Sequence, residues 1–263
     1  MADLVYLYGY IPGQGIAEDL PGLSGIGERR VETQACGPAV AVFSRVPSEE
    51  YDAERIEARL ADLDWLGRQG LAHERVVAAL VDRTTVVPMR LFTLFSSDEA
   101  LRAECEQRAD WLRQTLAKLD GVRQWDLKVS YDSERMLATV GETSEEVAVI
   151  DAELVQAAPG RRYLLRKQRD DVARSAVRKA VAALGEEVLA RLAPVAADVK
   201  RLAPPSSIEP GKLPVILAAA LLVSRADESE LRAALEEESA RLGPRGVRIA
   251  CSGPWAAYRF VGA

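Results

Sequence analysis

The chain has 263 residues, with 34 Lys and Arg against 40 Asp and Glu, a net charge of -6 and a pI near 5.2. That balance argues against a nucleic-acid binder, because a phosphate backbone needs a cationic face. A hydrophobic share of 48% and a charged share of 28% are those of an ordinary globular protein, long enough for one or two cores.

Leu4 to Ile11 is rich in β-branched and aromatic residues and reads as a strand ended by Pro12-Gly13. The glycine-rich segment Gly13 to Gly27 contains Gly22-x-x-Gly25-x-Gly27, which has the wrong glycine order for a dinucleotide fingerprint and lacks the Lys-Ser/Thr of a phosphate loop. A flexible turn is expected there. Strands at Arg30–Ala35 and Ala39–Val46 flank the turn Gly37-Pro38. From Asp52 the apolar period becomes helical through Ile56, Leu60 and Leu63, and a second helix is expected from Trp65 to about Val81. His73, the single histidine, lies on its apolar face and reads as a hydrogen-bonded structural residue, since no second histidine is present for an ordinary zinc site.

The stretch Thr84 to Phe95 reads as one interior strand that bends at Pro88 and carries a buried or half-buried cation at Arg90, paired to a carboxylate or to carbonyl oxygens. Ser96 with Glu99 forms a capping-box pattern for a helix running to Leu119, and Asp120-Gly121 ends it. A domain boundary is placed at that turn.

The second half gives a strand at Val122–Tyr131, a short helix within Gly141–Ala158 capped by Thr143 and Glu146, and a long helix from about Arg161 to Ala193. A strand at Ala197–Leu202 follows, then a doubly apolar central strand at Leu213–Val223, a helix after Asp227, and a last strand at Val247–Cys251. The expected class is therefore α+β with two domains. Residues 1–121 form an N-terminal α/β domain. Residues 122–263 form a C-terminal ferredoxin-like, split βαβ domain with an extra inserted helix and an aromatic tail.

No triad, metal-ligand cluster or nucleotide motif appears, so neither a catalytic role nor a cofactor nor a metal is expected. Glu236-Glu237-Glu238 reads as a solvated face. Cys36, Cys105 and Cys251 read as small buried hydrophobes in a reducing compartment. No leader opens the chain, and the run Leu213–Val223 is too short to span a bilayer, so a cytoplasmic protein away from lipid membranes is expected. Two surfaces stand out. The long helix opens with Arg161, Arg162, Tyr163 and Arg166, either a solvated face or a dock for an acidic surface, within this chain or on a partner. The tail carries Trp255, Tyr258 and Phe260, either packed across a domain interface or binding a partner.

Taken in order, several stretches resemble the GvpL/GvpF family of gas vesicle proteins. They are Tyr6-Leu7-Tyr8-Gly9, the helix from Trp65 to His73, and Val87-Pro88-Met89-Arg90 followed by Phe92-Thr93. Leu119-Asp120-Gly121-x-x-Gln124-Trp125, Gly160-Arg161-x-Tyr163-Leu164 and Gly253-Pro254-Trp255 to Phe260 complete the set. Two departures stand beside them. The family usually continues Pro-x-Arg with Phe-Gly-Thr, where this chain has Leu91-Phe92-Thr93, and has Pro-Pro where this chain has Ala256-Ala257. The resemblance implies a non-enzymatic accessory protein of gas vesicle formation with two domains, the second ferredoxin-like. Its implied partners are the small hydrophobic shell protein, bound through the N-terminal domain, and other gas vesicle accessory proteins. Trp65, His73, Pro88 and Arg90 join the helix and tail residues as candidates for partner binding or a domain interface. A small-ligand-sensing regulatory module is the alternative, because ferredoxin-like domains serve that use as well.

Overall fold

The structure, a computed structural model, describes residues 3–13, 22–205 and 212–262. The glycine-rich segment is thus described only from Gly22 onward, apart from Gly13. The chain divides into two compact units: Met1–Gln124 together with Pro254–Ala263, and Trp125–Gly253. The aromatic tail, expected with the second domain, therefore belongs by its contacts to the first.

Unit one runs β1 (Asp3–Pro12), β2 (Val31–Cys36), β3 (Ala39–Pro47), α1 (Ser48–Tyr51), α2 (Ala53–Arg59), α3 (Leu63–Val81), β4 (Val87–Pro88), β5 (Leu94–Phe95), α4 (Asp98–Gln107) and α5 (Ala109–Lys118). The sheet has the order β2-β3-β1-β4, and β5 also pairs with β1. β1 is antiparallel to β3, β4 and β5. It is buried without a break from Val5 to Ile11, which explains its unbroken apolar sequence. Its register against β3 shifts between Leu7 and Gly9, so Tyr8 is the extra residue of a bulge. Tyr6 and Tyr8 both join the core cluster around α3, whereas Tyr10 lies near Glu104 and Arg108. Gly9 is needed for β4 to pair: a Cβ there would stand 2.7 Å from the Val87 carbonyl oxygen.

Several expectations for this unit need correction. The stretch 84–95 is two separate two-residue strands on β1, Gly9 facing Pro88 and Val5 facing Phe95. Between them the chain turns, with Thr93 N–H donating to the Arg90 carbonyl at 3.2 Å. Arg90 is exposed, because the turn lifts it out of the sheet. The cap of α4 is Ser97 rather than Ser96, its hydroxyl accepting from Ala100 N–H, and the expected single helix breaks at Arg108 into α4 and α5. Leu60 and Leu63, expected on a buried face, are 48% and 78% exposed. Gly25 is no flexible turn, because a Cβ there would collide with the Tyr8 hydroxyl at 2.1 Å. Cys36 and Cys105 form a disulfide, with Cα atoms 5.4 Å apart and both residues about 1% exposed. The end of β2 and the middle of α4 meet only in the fold, across a separation of 69 residues, so no local pattern announces the pair.

Unit two runs β6 (Val122–Tyr131), α6 (Ser133–Thr143), α7 (Glu145–Gln156), α8 (Pro159–Leu192), β7 (Asp198–Leu202), β8 (Val215–Ser224), α9 (Glu228–Leu242) and β9 (Val247–Trp255). The sheet order is β7-β8-β6-β9. Its core is aliphatic apart from Trp125 and Met136: Leu127 and Val129 of β6, Leu184 and Val188 of α8, Leu217 to Val223 of β8, and Leu231 and Leu242 of α9. Two helices, α6 and α7, stand where one was expected, and Ser144 caps α7 in place of Thr143. Glu238 is not solvated. It is 2% exposed and pairs with Arg241 at 2.5 Å and Arg191 at 3.2 Å, as a buried carboxylate must.

Candidate functional site

Unit one holds a chain of hydrogen bonds centred on His73, which α3 carries into the core opposite β1. Phe92 N–H donates to the Tyr6 hydroxyl at 3.3 Å, and that hydroxyl lies 2.8 Å from His73 Nδ1. Nε2 stands 3.1 Å from both the Met89 carbonyl oxygen and the Tyr258 hydroxyl. Tyr258 donates in turn to Glu74 at 2.7 Å. A carbonyl oxygen only accepts, so Nε2 carries the proton and Nδ1 accepts from Tyr6. Every member of the chain is then satisfied with a neutral imidazole. Burial pushes the His73 pKa down to about 4, offset in part by the Met89 carbonyl. The same burial raises the Tyr6 and Tyr258 hydroxyls well above their ordinary value. A second branch joins Tyr8 to Ser44 at 3.0 Å and Ile26 N–H to Tyr8 at 2.7 Å, with Ser44 donating to the Arg30 carbonyl.

This chain fastens the tail to its own unit. Tyr258 is bound as above, Phe260 is 3% exposed beneath the Lys118 ammonium at 5.7 Å, and Arg259 N–H donates to Gln124 at 3.0 Å. Trp255 is 46% exposed. Pro88 is buried in β4, and Trp65 stacks on Phe92 with ring centres 5.4 Å apart. Tyr258, Val261 and Gly262 of the tail, with Met89, Arg90, Arg108 and Trp111, wall a cavity of about 240 Å³.

α3 also has an outward side. Leu63 and Leu71 are 78% and 71% exposed, and Gly67 and Gly70 between them have open space where a Cβ would be. Sequence reading placed Leu63 on a buried face and passed over Gly67, Gly70 and Leu71 because the helix period pointed to the buried side; two glycines on the outward side of a helix, with no packing duty there, are the missed signal. In unit two, Arg161, Arg162, Tyr163 and Arg166 are all exposed on the first turns of α8. Part of the α8 charge is answered internally by α7, Arg161 by Glu153 at 3.2 Å and Arg169 by Asp151 at 2.6 Å. Arg162, Arg166 and Lys167 make no ion pair among the described residues. Among those residues, no cluster of His, Cys, Asp and Glu is placed to hold a metal ion, and no helix is long and apolar enough to cross a membrane.

The mixed α/β architecture is that of solved gas vesicle proteins. GvpF from Anabaena sp. PCC7120 superposes with a TM-score of 0.75 at 20% identity, covering 100% of this chain and 99% of that one. GvpF from Microcystis aeruginosa gives 0.70 at 21% identity, over 100% of each chain. The chain belongs to the gas vesicle synthesis protein GvpL/GvpF family, whose sequence model matches residues 4–262. Gas vesicle protein L of Streptomyces sp. (strain CB03234) is 30% identical over 262 residues, 98% of this chain and 93% of that protein. Gas vesicle protein L2 of Halobacterium salinarum is 31% identical over 226 residues, 80% of this chain and 74% of that protein.

Proposed function

We propose that the protein is a non-enzymatic, cytoplasmic accessory or minor structural component of gas vesicle formation that binds the small hydrophobic shell protein through unit one. The observation that carries this is the outward side of α3, where two largely exposed leucines flank two glycines that serve no packing inside the chain. Each interior glycine costs a helix about 1 kcal/mol relative to alanine, so an exposed pair is best explained by close approach of an outside apolar element. Holding an apolar shell subunit before it aggregates needs such a surface. Unit two is read as a ferredoxin-like split βαβ domain with α6 and α7 inserted, and the cationic start of α8 as a dock for acidic surfaces of other gas vesicle proteins.

The test is co-purification of the full-length protein with the shell protein. Leu63→Glu with Leu71→Glu is expected to abolish capture, while Arg162→Glu with Arg166→Glu leaves it intact. Full capture by the leucine variant would remove α3 as the binding face. Absence of capture by the unaltered protein would remove shell-protein binding altogether.

A further inference from the structure

We propose that the cavity beneath the C-terminal tail of unit one is an anion-recognition site for a carboxylate carried on a short apolar body, with Arg90 as its receiving cation. The cavity measures about 240 Å³ and no Asp or Glu lines it. That is a local reversal in a chain of net charge -6. Arg90 is exposed and makes no ion pair among the described residues. Arg108, the other arginine lining the cavity, is already engaged by Glu104 at 2.5 Å and lies 5.2 Å from the Trp111 ring centre. Pro88, Met89, Trp111 and Val261 supply apolar lining, beside the polar Thr93 and Tyr258.

The backbone that presents Arg90 is fixed. Met89 N–H donates to the Tyr8 carbonyl at 2.9 Å, and the Arg90 carbonyl accepts from both N–H and hydroxyl of Thr93, at 3.2 and 2.8 Å. A rigid backbone carrying an unpaired guanidinium at a partly apolar cavity provides a planar fork that matches a carboxylate. The volume lies below the roughly 300–1,000 Å³ of ordinary cofactor pockets, so the occupant is a small acid or one anchoring side chain, not a nucleotide. A free carboxylic acid and a glutamate beside an aromatic residue in an extended peptide share this chemistry.

The two sources are separated by titrating the full-length protein with 3-phenylpropionate and with the peptide acetyl-Gly-Phe-Glu-Gly-amide, following heat and Trp fluorescence. Saturable binding of at least one is expected; the acid alone points to a free small molecule, the peptide to a protein partner. Arg90→Ala is expected to weaken binding at least about ten-fold, as loss of a charge-assisted hydrogen bond does, with the melting temperature unchanged. Arg90→Lys, which keeps the charge and loses the fork, is expected to fall between, and it reads the same question should the alanine variant melt early. Failure of both probes to saturate at millimolar concentration, or binding that is indifferent to both substitutions, overturns the proposal.

Discussion

The two units are held together by different means. Unit one buries a web of directional bonds among Tyr6, Tyr8, Ser44, Tyr51, Gln69 and His73 beside its apolar cluster. Unit two buries aliphatic side chains in a continuous cluster, with Glu238 as its buried acid. Aliphatic packing depends on area and tolerates change of like volume, whereas a buried polar web works only with every member satisfied and in one protonation state. Unit one should therefore respond to redox state and pH while unit two does not.

The largest difference is expected from reduction. Both cysteines of the disulfide lie in unit one, and closing a loop across 69 residues is worth up to about 4 kcal/mol on a chain-entropy reckoning. Cys251 of unit two is free, and burial pushes its thiol up to about 11, so it stays unreactive at neutral pH. Hydrogen exchange with and without reductant should show loss of protection in β1, β3 and α4 and none in β8 and α9. Equal protection in both conditions would mean the pair contributes no staple.

Acidification comes next. The His73 pKa is about 4 in the fold against 6.5 unfolded, so the unfolded chain takes up the proton first. The contribution is complete above pH 6.5 and drains as pH falls toward 4, the loss reaching about 2 kcal/mol at pH 5. Asp98 of the same unit, held below its ordinary value by Arg45, titrates lower still and does not cloud that window. Exchange corrected for intrinsic rates should show unit one loosening at pH 5 before unit two. A histidine replaced by glutamine should abolish the pH dependence, and its persistence in His73→Gln would assign it elsewhere.

Much of this architecture was legible in the sequence, because strands β1, β3, β6 and β8 and helices α3 and α8 declare themselves by local composition and period. The site was legible only in parts. Trp65, His73, Pro88, Tyr258 and Phe260 stood out singly, but the bond from His73 to Tyr258 spans 185 residues and no pattern along the chain encodes it. Arg90 was misjudged for a physical reason: an apolar run suggested a strand, while the chain makes a turn there that puts the cation outside. The disulfide and the buried Glu238 were missed on similar grounds, since each is made by elements distant in sequence or by a helix face that composition alone marks as solvated.

That same turn supplies a smaller effect. Phe92 has φ of 64°, a left-handed conformation that glycine adopts freely, and it stands where the family usually has glycine. The ring stacks on Trp65, 8° from parallel, which offsets the backbone strain. Both Phe92→Ala and Phe92→Gly lose the stacking, but only alanine keeps the strain. The glycine variant is therefore expected to be more stable than the alanine variant by about 1 kcal/mol, the reverse of the usual order. Urea midpoints of the two variants decide it, and alanine proving the more stable would show that the turn relaxes.

The last comparison, whose Tyr258 arm carries the smallest effect, tests how the web distributes its burden along its own length. Tyr6 is fully buried, receives Phe92 N–H and supplies the proton that His73 Nδ1 accepts. Tyr6→Phe leaves the buried His73 Nδ1 and the half-buried Phe92 N–H without their partner and is expected to cost about 2–3 kcal/mol. Tyr258 sits at the outer end. Without its hydroxyl, His73 Nε2–H still has the Met89 carbonyl, and Glu74 is exposed to water. Tyr258→Phe is therefore expected to cost under about 1 kcal/mol, since neither former partner is left buried and unsatisfied. Its consequence should be local instead: faster exchange in the tail beyond Pro254, with β1 and α3 unaltered. A loss from Tyr258→Phe equal to that from Tyr6→Phe would mean that the tail is an integral part of the core and not a segment fastened onto it.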